Sequence, residues 1–202
     1  SNSSDLNKFG GRFKYSKAQR IIDDTDTAIT SNITKVIIRR DLEADTANFA
    51  QYELCYGNSF HNRREGYNIK STGFTVDGIR GTLYMSDAYV SETRGRIFLF
   101  RLSSTGEVEI VRSNIGTVRY DTGEILIDTI RILSTVKPNN VIEVQAIPES
   151  NDIIGLRDLY VQLSVANSTI STVEDLISTG ADTSGTRFIS TSSFSNGKYI
   201  RQ

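Results

Sequence analysis

Gly116-Thr117-Val118-Arg119-Tyr120, Asp121-Thr122-Gly123 and Glu124-Ile125-Leu126-Ile127-Asp128-Thr129-Ile130 follow one another as two runs rich in β-branched side chains around a three-residue break. Alternation with β-branched enrichment reads as strand, and the glycine supplies the positive φ that a tight turn needs. The same grammar continues outward. On the N-terminal side Arg96 to Leu102 and Val108 to Arg112 flank Ser104-Thr105-Gly106, and on the C-terminal side Glu124 to Leu133 and Val141 to Ile147 flank Lys137-Pro138-Asn139-Asn140. Proline cannot donate to a ladder, so the last tetrapeptide must be a turn. With Gly73 to Val76 and Gly81 to Met85 added, the centre of the chain reads as a meander of antiparallel strands.

Toward the N-terminus, Ile33 to Arg40 and Phe49 to Tyr56 read as two more strands, able to pair as a hairpin across the polar stretch Asp41 to Asn48. Before them the period changes. Tyr15 to Ile29 begins as a helix with Ser16 as N-cap and Ala18, Ile21, Ile22 and Thr25 on one face. Asp23, Asp24 and Asp26 oppose the helix dipole at its C-terminal end, so the helix is expected to stop near Asp24. The fold class is therefore α+β, mostly antiparallel β with one N-terminal helix and a short C-terminal helical piece at Thr172 to Ser178. Gly57 to Gly66 is a polar connection, and a boundary is expected there, dividing 1–66, a helix plus hairpin, from 67–202, a β-rich part with an apolar-studded tail. Asp158 to Val165 is a further strand candidate.

The 202 residues suit one large domain or two small ones, and 38% apolar with 23% charged residues is a globular balance. A net charge of −1 offers no field to attract nucleic acid or an anionic membrane, and no apolar run approaches the roughly 20 residues of a membrane span. The sequence thus predicts neither nucleic acid nor membrane as partner. The single cysteine, Cys55, leaves no intrachain disulfide and no multi-thiolate zinc site, which fits assembly in a reducing cytoplasm. The opening Ser1-Asn2-Ser3-Ser4 has neither a basic region nor an apolar stretch behind it, and without an initial Met an internal start is expected.

Asp121-Thr122-Gly123 matches the catalytic triplet of retroviral-type aspartic proteases, but Arg119-Tyr120 before it and Glu124 after it differ from their apolar and small flanks, and a hairpin turn accounts for it. Asp23-Asp24-Thr25-Asp26 resembles the start of a calcium loop, yet counting from Asp24 puts Ile29 and Lys35 where glycine and glutamate are required. No pair among the 24 acids is nominated for glycoside hydrolysis. His61 lacks a nucleophile elbow, Cys55 sits in an alternating segment as an inert thiol, and Gly78-Ile79-Arg80-Gly81 lies between strands rather than helices. No glycine loop precedes a helix to cradle phosphate. The sequence predicts no enzyme, no cofactor and no metal.

Phe13-Lys14-Tyr15-Ser16, Ile21-Ile22-Asp23-Asp24-Thr25-Asp26-Thr27-Ala28-Ile29 and Ser31-Asn32-Ile33-Thr34-Lys35-Val36 carry a resemblance. This stretch resembles the baseplate wedge ring proteins of T-even-type contractile-tail phages and, more broadly, the J-like baseplate proteins of contractile tails. The resemblance implies the C-terminal portion of a longer subunit, located in the virion tail baseplate and assembled in the host cytoplasm. It further implies a subunit that pairs with copies of itself, joins wedges into a ring around the hub and contacts other baseplate wedge proteins. Interface anchors are expected among Phe13, Tyr15, Ile21, Ile22, Phe188, Phe194 and Tyr199. The Tyr, Asn and Ser content of the loops supports a second reading, a receptor- or glycan-binding tail-fibre or baseplate module. Because the residues after Asp182 are polar apart from spaced apolar anchors, deleting them is expected to weaken self-association more than folding. Sedimentation and thermal melts check this, and unchanged association with a lowered melting temperature would make the tail part of the core.

Overall fold

The computed structural model describes residues 11–26, 29 and 31–155. Every described residue lies in one compact unit. The strand expected at Asp158 to Val165, the helical piece at Thr172 to Ser178 and the anchors Phe188, Phe194 and Tyr199 lie outside the described residues.

Helix α1 spans Tyr15–Asp23. Its N-cap is Lys14, without a side-chain cap, rather than the expected Ser16. The Tyr15 N–H instead donates to the Asp152 carboxyl at 2.8 Å, so an acid 137 residues away performs the capping that a local serine would have done. At the other end Asp24 N–H reaches Arg20 C=O at 2.9 Å and the Thr25 hydroxyl reaches Ile21 C=O at 2.7 Å, which closes the helix where the acidic run predicts.

Twelve strands accompany it, and every pairing among the described residues is antiparallel. The largest sheet orders β3 (Ala50–Cys55), β9 (Glu124–Ile130), β8 (Val108–Arg119), β7 (Arg94–Leu102) and β6 (Tyr84–Tyr89), so the expected meander is present from β6 to β9. A second sheet orders β2 (Ile38–Glu43), β11 (Val141–Ala146) and β4 (Ile69–Ser71). Two short pairs complete the set, β10 (Ile132–Thr135) with β5 (Phe74–Val76), and β1 (Arg12–Phe13) with β12 (Ile153–Ile154).

Several boundaries and one pairing differ from the sequence reading. β2 starts at Ile38 instead of Ile33 and runs into the stretch read as loop. It does not form a hairpin with β3: all six residues of β2 register with β11, and β3 pairs with β9. The alternating Ile142, Val144 and Ala146 of β11 are buried, so the long-range partner offers an apolar face that closes the core. Strands on the two sides of Gly66 therefore share sheets.

Val108 to Arg112 and Gly116 to Tyr120 are one strand, β8, bent by register shifts against β7. A Cβ on Gly116 would lie 2.1 Å from the Leu126 carbonyl oxygen, so glycine is required by the close approach of β9. Glu124 to Leu133 is conversely two strands in different sheets, broken at Arg131. β6 begins at Tyr84 because the turn from Gly78 to Gly81 is longer than the alternation suggested. The three-residue β4 carries too little pattern to be recognised.

The core is one buried cluster including Ile69, Phe74, Leu83, Ile97, Leu99, Val118, Tyr120, Ile125, Ile127 and Val144. Inside it β4 meets β6 through side chains. The Ile69 N–H donates to Asp87 Oδ1 at 2.7 Å, the Ser86 hydroxyl donates to the Ile69 carbonyl at 2.7 Å, and the Met85 N–H donates to Ser71 Oγ at 2.8 Å. Asp87 is 1% exposed, and its Oδ2 accepts the Tyr120 hydroxyl at 2.8 Å. Each oxygen of a buried carboxyl thus has a donor, as burial demands. A second tie is the buried Tyr56 hydroxyl, which donates to the Val144 carbonyl at 2.8 Å.

Asp87→Ala strands the Ile69 amide and the Tyr120 hydroxyl in the core and is expected to cost roughly 2–4 kcal/mol in urea unfolding. Gly95 faces the same group: a Cβ there would lie 2.2 Å from Tyr120 Oη. Gly95→Ala is expected to destabilise by about 1–3 kcal/mol, and to do so less in a Tyr120→Phe background, a double-mutant cycle that reads the contact between position 95 and the Tyr120 hydroxyl. Burial, and then the neighbouring Asp87 carboxylate, push the Tyr120 hydroxyl well above the ordinary tyrosine range. A folded pKa raised above the unfolded value contributes stability that is complete below about pH 10 and lost as pH rises further. The unfolding midpoint is therefore expected to fall above about pH 10, and less steeply in Tyr120→Phe.

Candidate interaction surface

The segments with candidate chemistry are structural in this fold. Asp121-Thr122-Gly123 joins β8 to β9, with Gly123 at φ +68°. The Asp121 carboxylate pairs with Arg119 at 3.4 Å on the surface, and its carbonyl accepts the Ser59 hydroxyl at 2.8 Å. A Cβ at position 123 would lie 2.0 Å from the Asn58 carbonyl oxygen, so the glycine serves both the turn and the loop packed on it. Asn58 holds that loop to β12, donating to Ile154 C=O at 2.9 Å and accepting from Ile154 N–H at 3.0 Å.

His61 is exposed in the same connection, its N–H donating to the Ile147 carbonyl at 2.8 Å and its carbonyl accepting from Asn68 Nδ2 at 2.6 Å. Cys55 is half-buried at the end of β3, and burial followed by the adjacent Glu53 raises its thiol pKa, which disfavours the thiolate a nucleophile needs. Gly78 and Gly81 both have positive φ between β5 and β6, the geometry of a turn. Among the described residues no group of three or more His, Cys, Asp or Glu side chains is placed to hold a metal ion. No described helix is long and apolar enough to cross a membrane.

The four described anchor candidates stand close together in the N-terminal sequence but in different settings. Phe13 is half-buried in β1, in register with Ile153 of β12. Tyr15 is half-buried, its hydroxyl donating to the Thr34 carbonyl at 2.8 Å and accepting from Gln19 Nε2 at 3.0 Å. Ile21 and Ile22 are 47% and 41% exposed, and α1 contains no buried residue at all. Ile29, Ile33 and Ile37, which follow in the sequence, are also exposed large apolar side chains, with Ile33 at 85%. Sequence reasoning missed Ile33 and Ile37 because β-branched residues in a row read as strand, whereas 31–37 is irregular. At their exposure Ile21 and Ile22 add little to the stability of the helix through packing.

Among its described residues the chain is a β-rich protein with several exposed large apolar side chains. Residues 2–41 match the family described as baseplate structural protein gp6, C-terminal domain III. The match contains the whole stretch that carried the resemblance, and it supports a structural protein of the phage tail baseplate. No curated protein matches the chain.

Because Asp121 is a surface partner of Arg119, Asp121→Asn is expected to change unfolding stability by less than about 1 kcal/mol. The unmutated chain is expected to show no pepstatin-sensitive cleavage of peptide substrates at acidic pH.

Proposed function

We propose that this chain is a self-associating module of a baseplate wedge, helping to join wedges into a ring around the tail hub. The carrying observation is that the segment matched to a baseplate structural domain is also the one whose helix has no fully buried residue and exposes Ile21 and Ile22. Burying exposed apolar area removes roughly 25 cal/mol per Å² from the free energy of the free subunit, the ordinary driving force of a protein contact. Copies of this chain and other wedge proteins are the partners of this face, and assembly proceeds in the host cytoplasm. The face needs no cofactor and no catalytic group.

Sedimentation equilibrium over a wide concentration range tests the reading. A reversible dimer or larger closed species is expected, and Ile21→Ser/Ile22→Ser is expected to weaken association by at least about tenfold, the size of a modest hot spot, with the melting temperature unchanged. A strict monomer at every concentration would overturn self-association by this chain.

A further inference from the structure

The two larger sheets end facing one another. β2 is paired only on its β11 side and β3 only on its β9 side, so among the described residues each keeps a free edge. Both edges border one open groove of about 400 Å³, lined by 40–43 of β2 and 51–55 of β3. A single strand added there would make the three-stranded and five-stranded sheets continuous.

Backbone groups point into the groove. Glu143 C=O accepts Thr72 N–H at 3.0 Å on the β4 side, so its register partner Asp41 turns its own N–H and C=O away from β11 and toward the groove. Gly123 C=O takes the Tyr56 N–H at 2.9 Å, and strand alternation then turns Cys55 and Glu53 toward the groove from the other side. The Cys55 carbonyl, an acceptor that a ladder would use, is met instead by the Arg40 guanidinium reaching across from β2. Side chains alternate to match: Leu42 and Leu54 are buried, while Asp41, Glu43, Gln51 and Glu53 are exposed. Such a groove takes an extended segment that is apolar at every second position.

The course of the chain selects that segment. Asn58 Nδ2 donates both to Tyr56 C=O at 3.0 Å and to Ile154 C=O at 2.9 Å. Ile154, and Gly155 after it, therefore stand beside the residue that follows Cys55, at the mouth of the groove. From Gly155 to Asp158 the backbone reaches up to about 10 Å. There the sequence reads Asp158-Leu159-Tyr160-Val161-Gln162, polar and apolar in alternation. A tether that short holds the segment at an effective concentration in the millimolar range, an advantage over any strand from solution. We propose that residues 158–162 add between β2 and β3, entering at the Cys55 end and running antiparallel to β3. Leu159 and Val161 then continue the buried face of Leu42 and Leu54, and a backbone N–H replaces Arg40 on the Cys55 carbonyl. The proposal is independent of self-association, since a monomer has the same groove and the same tether.

Two measurements on the whole chain test it. The Cys55 thiol lies 3.5 Å from Glu53 on the outer face, so in an inserted strand positions 158 and 160 share its side and 159 and 161 do not. Under mild oxidation Asp158→Cys and Tyr160→Cys are expected to form an intrachain disulfide with Cys55 at least about fivefold faster than Leu159→Cys and Val161→Cys, because geometry governs the bond. Amide exchange at Asp41 and Glu53 is expected to be slow in the unmutated chain at every concentration, and at least about tenfold faster in Val161→Pro, which removes a ladder donor, with Val118 unchanged. Equal oxidation at all four positions, or fast exchange at Asp41 and Glu53 in the unmutated chain, would overturn the insertion and leave self-association untouched. Disulfides formed between chains rather than within one would give the groove to the same strand of a second copy and also overturn it.

Discussion

Asp87 is the group around which the described fold is organised. A buried carboxyl is costly unless its oxygens are satisfied, and here one oxygen takes the Ile69 amide and the other the Tyr120 hydroxyl. Ile69 belongs to the three-stranded sheet and Tyr120 follows β8 of the five-stranded sheet, so a single side chain on β6 ties both sheets to one point. Ser86 and Ser71 make the remaining links, and side chains thereby do between β4 and β6 what a backbone ladder does elsewhere. The carbonyl of Asp87 also accepts the Tyr67 N–H at 2.9 Å, which anchors the end of the long polar connection.

That connection then positions the turn between β8 and β9. Phe60 N–H reaches the Tyr120 carbonyl at 2.7 Å and Tyr56 N–H reaches the Gly123 carbonyl at 2.9 Å, so the Asp-Thr-Gly turn is embraced by backbone that approaches too closely for any side chain at 123. A triplet that in isolation suggests a protease is here a splice between sheet and loop. The interior built this way leaves large apolar side chains outside it, among them Ile21, Ile22 and Ile33 in and after α1, and Val108 and Ile110 on β8.

Turn chemistry was the most legible part of the sequence. Gly106 and Gly123 occupy positive φ where the hairpins needed them, and Asn139 and Asn140 do so after Pro138. The end of the helix at the acidic run, the meander from β6 to β9, the exposed loop histidine and the baseplate resemblance of the N-terminal segment were equally readable. Ser16 was a reasonable cap, but Asp152 occupies the place that a cap fills. The separation of Glu124 to Leu133 into two sheets was invisible, because both halves alternate in the same way and the break at Arg131 carries no glycine or proline.

The sequence by itself determined which segments extend, where they turn and which side chains seek an interior, since these follow from local sterics and from a period of two. The tertiary structure alone decided who pairs with whom. Alternation tells a strand which face to bury but not which partner to bury it against, and β2 left its neighbour β3 for β11 because only the long-range pairing joins Leu42 to the buried face of Ile142 and Val144. The same holds for Asp87, one acid among 24, whose importance comes from the two donors that folding brings to it from positions 69 and 120.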